Sequence, residues 1–130
     1  MEKFTIKCLI TAEETGGKVA VFEEVVRAKS GPPLHIHKNQ LEIFHVIQGD
    51  IRFRVGEEEV DVSSGGTAVV PAGAPHTFFN LSEAKAIIHF ELLPAGQSER
   101  FFEKLTTGAF DDPAKLFEDH DLELLGPPMG

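Results

Sequence analysis

Short stretches of alternating apolar and polar residues, each cut off by glycine, proline or aspartate, fill the first ninety or so residues of this chain. Residues two apart in a strand point to the same side, so such alternation marks strands with one buried face. Residues 4–10 alternate, Gly16-Gly17 makes a turn, and residues 19–26 follow as a β-rich run. Ser30-Gly31-Pro32-Pro33 then breaks the chain. Residues 42–47 read as a strand ended by Gly49-Asp50, a hairpin signal. Ile51, Phe53 and Val55 alternate with Arg52 and Arg54, which predicts one apolar face and one solvated face. Gly56-Glu57-Glu58 makes the next turn, with residues 57–59 as a charged tip. Residues 60–62, 67–70, 77–79 and 86–92 supply further strands, separated by Gly65-Gly66 and a Pro-, Gly- and Ala-rich loop over 71–75. Eight to ten short strands with regular turns point to an all-β sandwich or barrel over about residues 4–93, not to βαβ units.

The pattern changes after Pro94. Ser98 is placed to cap a helix over 99–107, with Phe101, Phe102 and Leu105 on one stripe and Gly108 at its end. Asp112-Pro113 is a helix start, aspartate as N-cap and proline at the first helical position, and the second helix is predicted to run to about His120. Leu122, Leu124 and Leu125 form an apolar tail before Gly126-Pro127-Pro128. The expectation is a helical hairpin over about residues 98–125 packed on the barrel, all within one domain spanning 1–130.

Charge narrows the partners. Twelve basic against twenty-one acidic residues give a net charge of −9, which repels nucleic acid and an acidic membrane surface. No segment approaches the ~20 uninterrupted apolar residues that span a bilayer, and the N-terminus lacks the order of a secretory signal. Cys8 is the only cysteine, so a reducing, cytoplasmic setting is expected. It alternates with Ile6 and Ile10 and reads as a small buried hydrophobe.

Two segments carry the chemistry. In the first, Gly31-Pro-Pro-Leu-His35-Ile-His37 is followed after four residues by Glu42 and after six more by Gly49. Strand parity lets His35 and His37 aim two imidazoles at one point, and Glu42 can bring a carboxylate from the neighbouring rung. In the second, Gly65, Pro71 and Gly73 frame His76 at the start of a strand, with Asn80 four residues on. Three neutral imidazoles and one carboxylate suit a borderline divalent ion, and leave one or two positions open if it prefers five or six ligands.

Together the two segments resemble the two motifs of the cupin superfamily; the one departure is a spacer of three residues, instead of the usual five, between Gly31 and His35. The resemblance covers roughly residues 17–93. It implies a double-stranded β-helix, a squat barrel of two antiparallel sheets, with His35, His37, Glu42 and His76 as ligands of one divalent transition metal ion (Mn, Fe, Ni, Cu or Zn).

The same parity selects a pocket. Phe44 shares the direction of Glu42, and Phe78 that of His76; Phe53 and Phe90 lie on the apolar faces of their own strands. Gln40, two residues before Glu42, is placed to hydrogen-bond a metal-bound ligand or to stand in solvent. These residues suggest an apolar pocket for a small-molecule ligand or substrate. His45 and His89 have the outward parity, which suits a subunit contact, and His120 is expected at the surface. Outward Ile43 and Ile47 need cover, which favours a homodimer.

Fold alone leaves function open. A dioxygenase-like, metal-dependent oxidoreductase leads. A metal-dependent isomerase or lyase and a non-catalytic ligand-binding cupin are the alternatives. The chain has eleven Phe but neither Tyr nor Trp, so the tyrosine acid used by sugar epimerases of this fold is absent. Thiol dioxygenation fits poorly because that family lacks the Glu, and the short acidic C-terminal helices do not suit a DNA-reading module.

Overall fold

The computed structural model describes residues 5–129. The strands are β1 (Thr5–Ile10), β2 (Ala20–Val26), β3 (Pro33–His37), β4 (Leu41–Gln48), β5 (Asp50–Val55), β6 (Glu58–Ser63), β7 (Thr67–Val70), β8 (His76–Asn80), β9 (Ala86–Leu93) and β10 (Leu122–Pro128). Helices α1 (Ser98–Thr107) and α2 (Pro113–Glu118) lie between β9 and β10. Two antiparallel sheets form, ordered β1-β2-β9-β4-β7 and β10-β3-β8-β5-β6. From β2 to β10 the chain passes back and forth between them, which is the double-stranded β-helix. Among the described residues no helix is long and apolar enough to cross a membrane.

Alternation in sequence becomes alternation in burial. In β2 the inward set is Ala20, Phe22, Glu24 and Val26; in β9 it is Ala86, Ile88, Phe90 and Leu92. The second sheet contributes Ile51, Phe53 and Phe78. The rings meet between the sheets, with Phe44 and Phe53 centroids 5.0 Å apart and Phe44 and Phe90 5.8 Å apart. Each fully buried Phe contributes about 1.5–3 kcal/mol of transfer free energy. At Gly31 any side chain is excluded, since a Cβ would sit 1.9 Å from the Phe78 carbonyl oxygen.

Several expectations are corrected. Phe4, the first residue of the expected first strand, lies outside the described residues. Gly49-Asp50 does not make a hairpin: β4 pairs with β7 and β9, while β5 pairs with β6 and β8, so the turn carries the chain from one sheet to the other. Gly49 serves there because its φ of +112° and the closeness of Ala86 both disfavour a side chain. Cys8 is exposed, because β1 is the outer strand of its sheet. Ser98 is the first residue of α1, not its cap, and its hydroxyl donates to the Ala95 carbonyl at 2.6 Å.

The C-terminal extension is also not helical throughout. α2 ends at Glu118, and residues 122–128, expected as an apolar tail, form β10 against β3. Burying Leu122 with Phe101, Leu116 and Phe117 drives this return. His120 is consequently buried, not at the surface; its Nδ1 lies 2.8 Å from the Leu116 carbonyl and its ring packs on Phe101.

Candidate metal centre

Three strands bring the motif side chains to one end of the barrel. β3 pairs with β8 so that His35 and His76 stand directly opposite, and β4 supplies Glu42 from the other sheet. One nitrogen from each of His35, His37 and His76 falls within a 4.8 Å group. Glu42 Oε1 is 3.0 Å from His76 Nε2 and 3.4 Å from His37 Nε2. His37, Glu42 and His76 are buried, and His35 is partly so.

Hydrogen bonds behind the rings set which nitrogen faces the centre. His35 Nδ1 lies 2.7 Å from the Pro33 carbonyl oxygen, and His76 Nδ1 lies 2.9 Å from that of Ala74. A carbonyl oxygen only accepts, so both Nδ1 atoms donate, and in the neutral ring each Nε2 is left with a bare lone pair. His37 Nδ1 faces Gln40 Oε1 at 3.3 Å. The Gln40 amide is fixed in that sense because its Nε2 donates to the carbonyls of Pro94 and Ala95 at 2.8 and 3.0 Å, and to Ser98 Oγ at 2.8 Å. Three imidazole lone pairs and a carboxylate oxygen therefore converge where no protein hydrogen is aimed.

Protonating His35 or His37 does not resolve this crowding. Burial, then the neighbouring rings of His76 and His37, hold His35 well below the ordinary imidazole range. Burial, then His76, lower His37 to about 3. A divalent cation seated among the three nitrogens would satisfy their lone pairs at once, with Glu42 Oε1 beside two of them, and such a nitrogen and oxygen donor set is one these ions accept. The residues thus fit a metal site.

Beside these donors lies a cavity of about 40 Å³. Of the expected pocket residues, Phe44, Phe78 and Phe90 line it. Phe53 does not; it packs behind, against Phe44 and Phe78. Gln40 does not either: it braces His37 from behind and ties it to the start of α1. The outer wall comes from α1 and α2, through Phe101, Phe102, Leu105 and Phe117. Sequence reasoning left the seat of these helices open, and passed over one residue altogether. Glu24 lies on the inward face of β2, lines the cavity and is 7% exposed. Burial, reinforced by the charge of Glu42, pushes its carboxyl up to about 8. The signal was present in strand parity, since Glu24 falls in step with Phe22 and Val26.

The other histidines stay apart. His45 Nε2 is 2.5 Å from Glu91 Oε1, and His89 Nε2 is 2.7 Å from Glu23 Oε2, both pairs on the outer face of their sheet.

Comparison with known proteins agrees with this fold. The cupin domain family matches residues 22–91. Over 78 residues the chain is 37% identical to a probable oxidoreductase, VirH, of Hypocrea virens, an alignment covering 58% of this chain and 36% of that protein. The chain thus spans about a third of the length of this curated relative. A predicted oxalate decarboxylase of Thermotoga maritima superposes with a TM-score of 0.67 at 17% identity, over 70% of this chain and 80% of that one. A recombinant oxalate oxidase in complex with glycolate superposes at 0.61 and 21% identity, over 70% and 51%. At these identities the two structures speak for the fold alone.

Proposed function

The chain belongs to the cupin domain family, and from that footing we propose that it is a metal-dependent, dioxygenase-like oxidoreductase acting on a small organic molecule. The observation that carries the reading is the convergence of three Nε2 lone pairs and Glu42 Oε1 at the edge of an apolar cavity. The oxidoreductase name of the 37% identical relative supports it. His35, His37, Glu42 and His76 would hold the ion. When bound, a redox-active ion of this kind supplies Lewis acidity and one-electron chemistry toward O₂.

The chain's own residues do the rest. The Pro33 and Ala74 carbonyls and Gln40 hold the imidazoles in the Nδ1–H tautomer, which keeps each Nε2 free. One carboxylate against two positive charges leaves the site net positive, so it favours an anionic substrate oxygen. The phenylalanine wall excludes water from the reacting groups.

The test begins with metal analysis of protein purified without chelator. Oxygen consumption is then followed with a 1,3-diketone, a catechol and a flavonol. Near-stoichiometric iron, copper, nickel or manganese with metal-dependent oxygen uptake is expected. Full metal occupancy without uptake across the panel would overturn the oxidoreductase reading in favour of isomerase, lyase or binding roles.

A further inference from the structure

Glu24 is the one carboxyl in the cavity outside the four-donor set. It is nine-tenths buried, and no hydrogen-bond partner for it occurs among the described residues. Its carboxyl oxygens are not sealed off, since no fully buried side-chain oxygen among the described residues lacks a partner, so they open toward the cavity, where a bound molecule can meet them. The remaining wall is almost wholly aromatic and aliphatic, and no Lys or Arg lines the cavity among the described residues. A small dianion could set one carboxylate on the cation, but its second would face Glu24 and the rings with no cationic side chain to pair with it. A compact molecule with apolar flanks and a hydroxyl or enol group would meet rings on its flanks and a hydrogen-bonding carboxyl at its polar end. The free volume of about 40 Å³ limits the occupant to a small one, far below the roughly 300–1,000 Å³ of pockets for drug-sized ligands.

We propose that Glu24 is the ligand-reading group of this cavity: its carboxyl hydrogen-bonds a hydroxyl or enol oxygen of a compact, largely apolar molecule held at the four-donor centre. This rests on the metal-site reading above and adds the ligand class, an enol, phenol or enolisable ketone in preference to a small dicarboxylate.

Zinc-loaded protein tests it without turnover, using acetylacetone and oxalate as compact probes of opposite character, with affinities read by calorimetry or NMR titration. In Glu24→Leu the acetylacetone affinity is expected to fall about tenfold, the loss of one hydrogen bond to a buried carboxyl. Oxalate affinity stays level, because its carboxylates are met by the bound cation and not by Glu24. Glu24→Gln, which keeps a hydrogen-bonding amide, retains most of the acetylacetone affinity. Unchanged acetylacetone binding in Glu24→Leu, an equal loss for both probes, or no binding of acetylacetone to the wild type would each overturn the proposal. The two readings fail separately. Absent oxygen uptake with these ratios intact removes the oxidoreductase and leaves Glu24 its role; normal uptake with Glu24-insensitive binding does the reverse.

Discussion

Gln40 shows how much a residue outside the cavity contributes to the centre. It offers Oε1 to His37 and spends its amide hydrogens on the segment entering α1. Gln40→Ala frees the His37 ring to turn and to change tautomer. Metal affinity, measured by chelator competition, is expected to drop about 10–100-fold; an unchanged value would show that His37 is held by packing alone. Glu24 makes a different prediction, about pH. Its carboxyl titrates near 4.5 when the chain is unfolded and near 8 when folded. Below the lower value both states are protonated. Between the two, the unfolded chain releases its proton and the folded one keeps it, so stability declines as pH rises and levels off above about 8. Urea titrations of chelator-treated protein from acid to alkaline pH should show this decline, on the order of a few kcal/mol, and Glu24→Gln should flatten it. A parallel pH profile in the variant would mean that Glu24 ionises normally.

At the scale of elements, the centre depends on how β3 is held. Its flanks are β8, which brings His76, and β10, whose Leu122 and Leu124 stand opposite His37 and His35. Leu122→Asp puts a charge among Phe101, Leu116 and Phe117, which should cost about 3–5 kcal/mol and loosen the edge that carries two imidazoles. Denaturant unfolding reads the first effect and chelator competition the second. A loss under about 1 kcal/mol, the size of an ordinary surface change, would show that β10 is not docked. On the other side of β3, Gly31→Ala drives a methyl into the Phe78 carbonyl. Either the Phe78 backbone shifts or the entry to β3 does, so a lower melting temperature is expected. Wild-type stability in that variant would contradict the close approach.

For the whole molecule, the four donors link both sheets, so an ion bound there binds the folded chain and not the unfolded one. Zinc added to chelator-treated protein is expected to raise the melting temperature in a concentration-dependent way, by about 2.7 kcal/mol of stability at a hundredfold excess over Kd. Glu42→Gln should lose most of that gain, and an equal gain in the variant would remove Glu42 from the set. How far this architecture was legible beforehand varies with the range of the forces involved. Strand positions followed from alternation, since parity is a property of neighbouring residues. The two histidine segments followed from spacing, since ligand types and turn glycines are local too. Which strands lie side by side was not local. Gly49-Asp50 has hairpin chemistry yet changes sheets, because the β4 backbone found partners in β7 and β9. Leu122 and its neighbours became a strand, and His120 a buried residue, only because α1 and α2 offered an apolar surface to return to. Glu24 became a buried cavity residue only because β2 is flanked by β1 and β9 and roofed by the rings of α1. Local pattern and spacing were enough for the barrel and for the histidine segments that converge in it. What stands beside those histidines came from long-range packing, because burial of a side chain is set by what the rest of the chain packs over it.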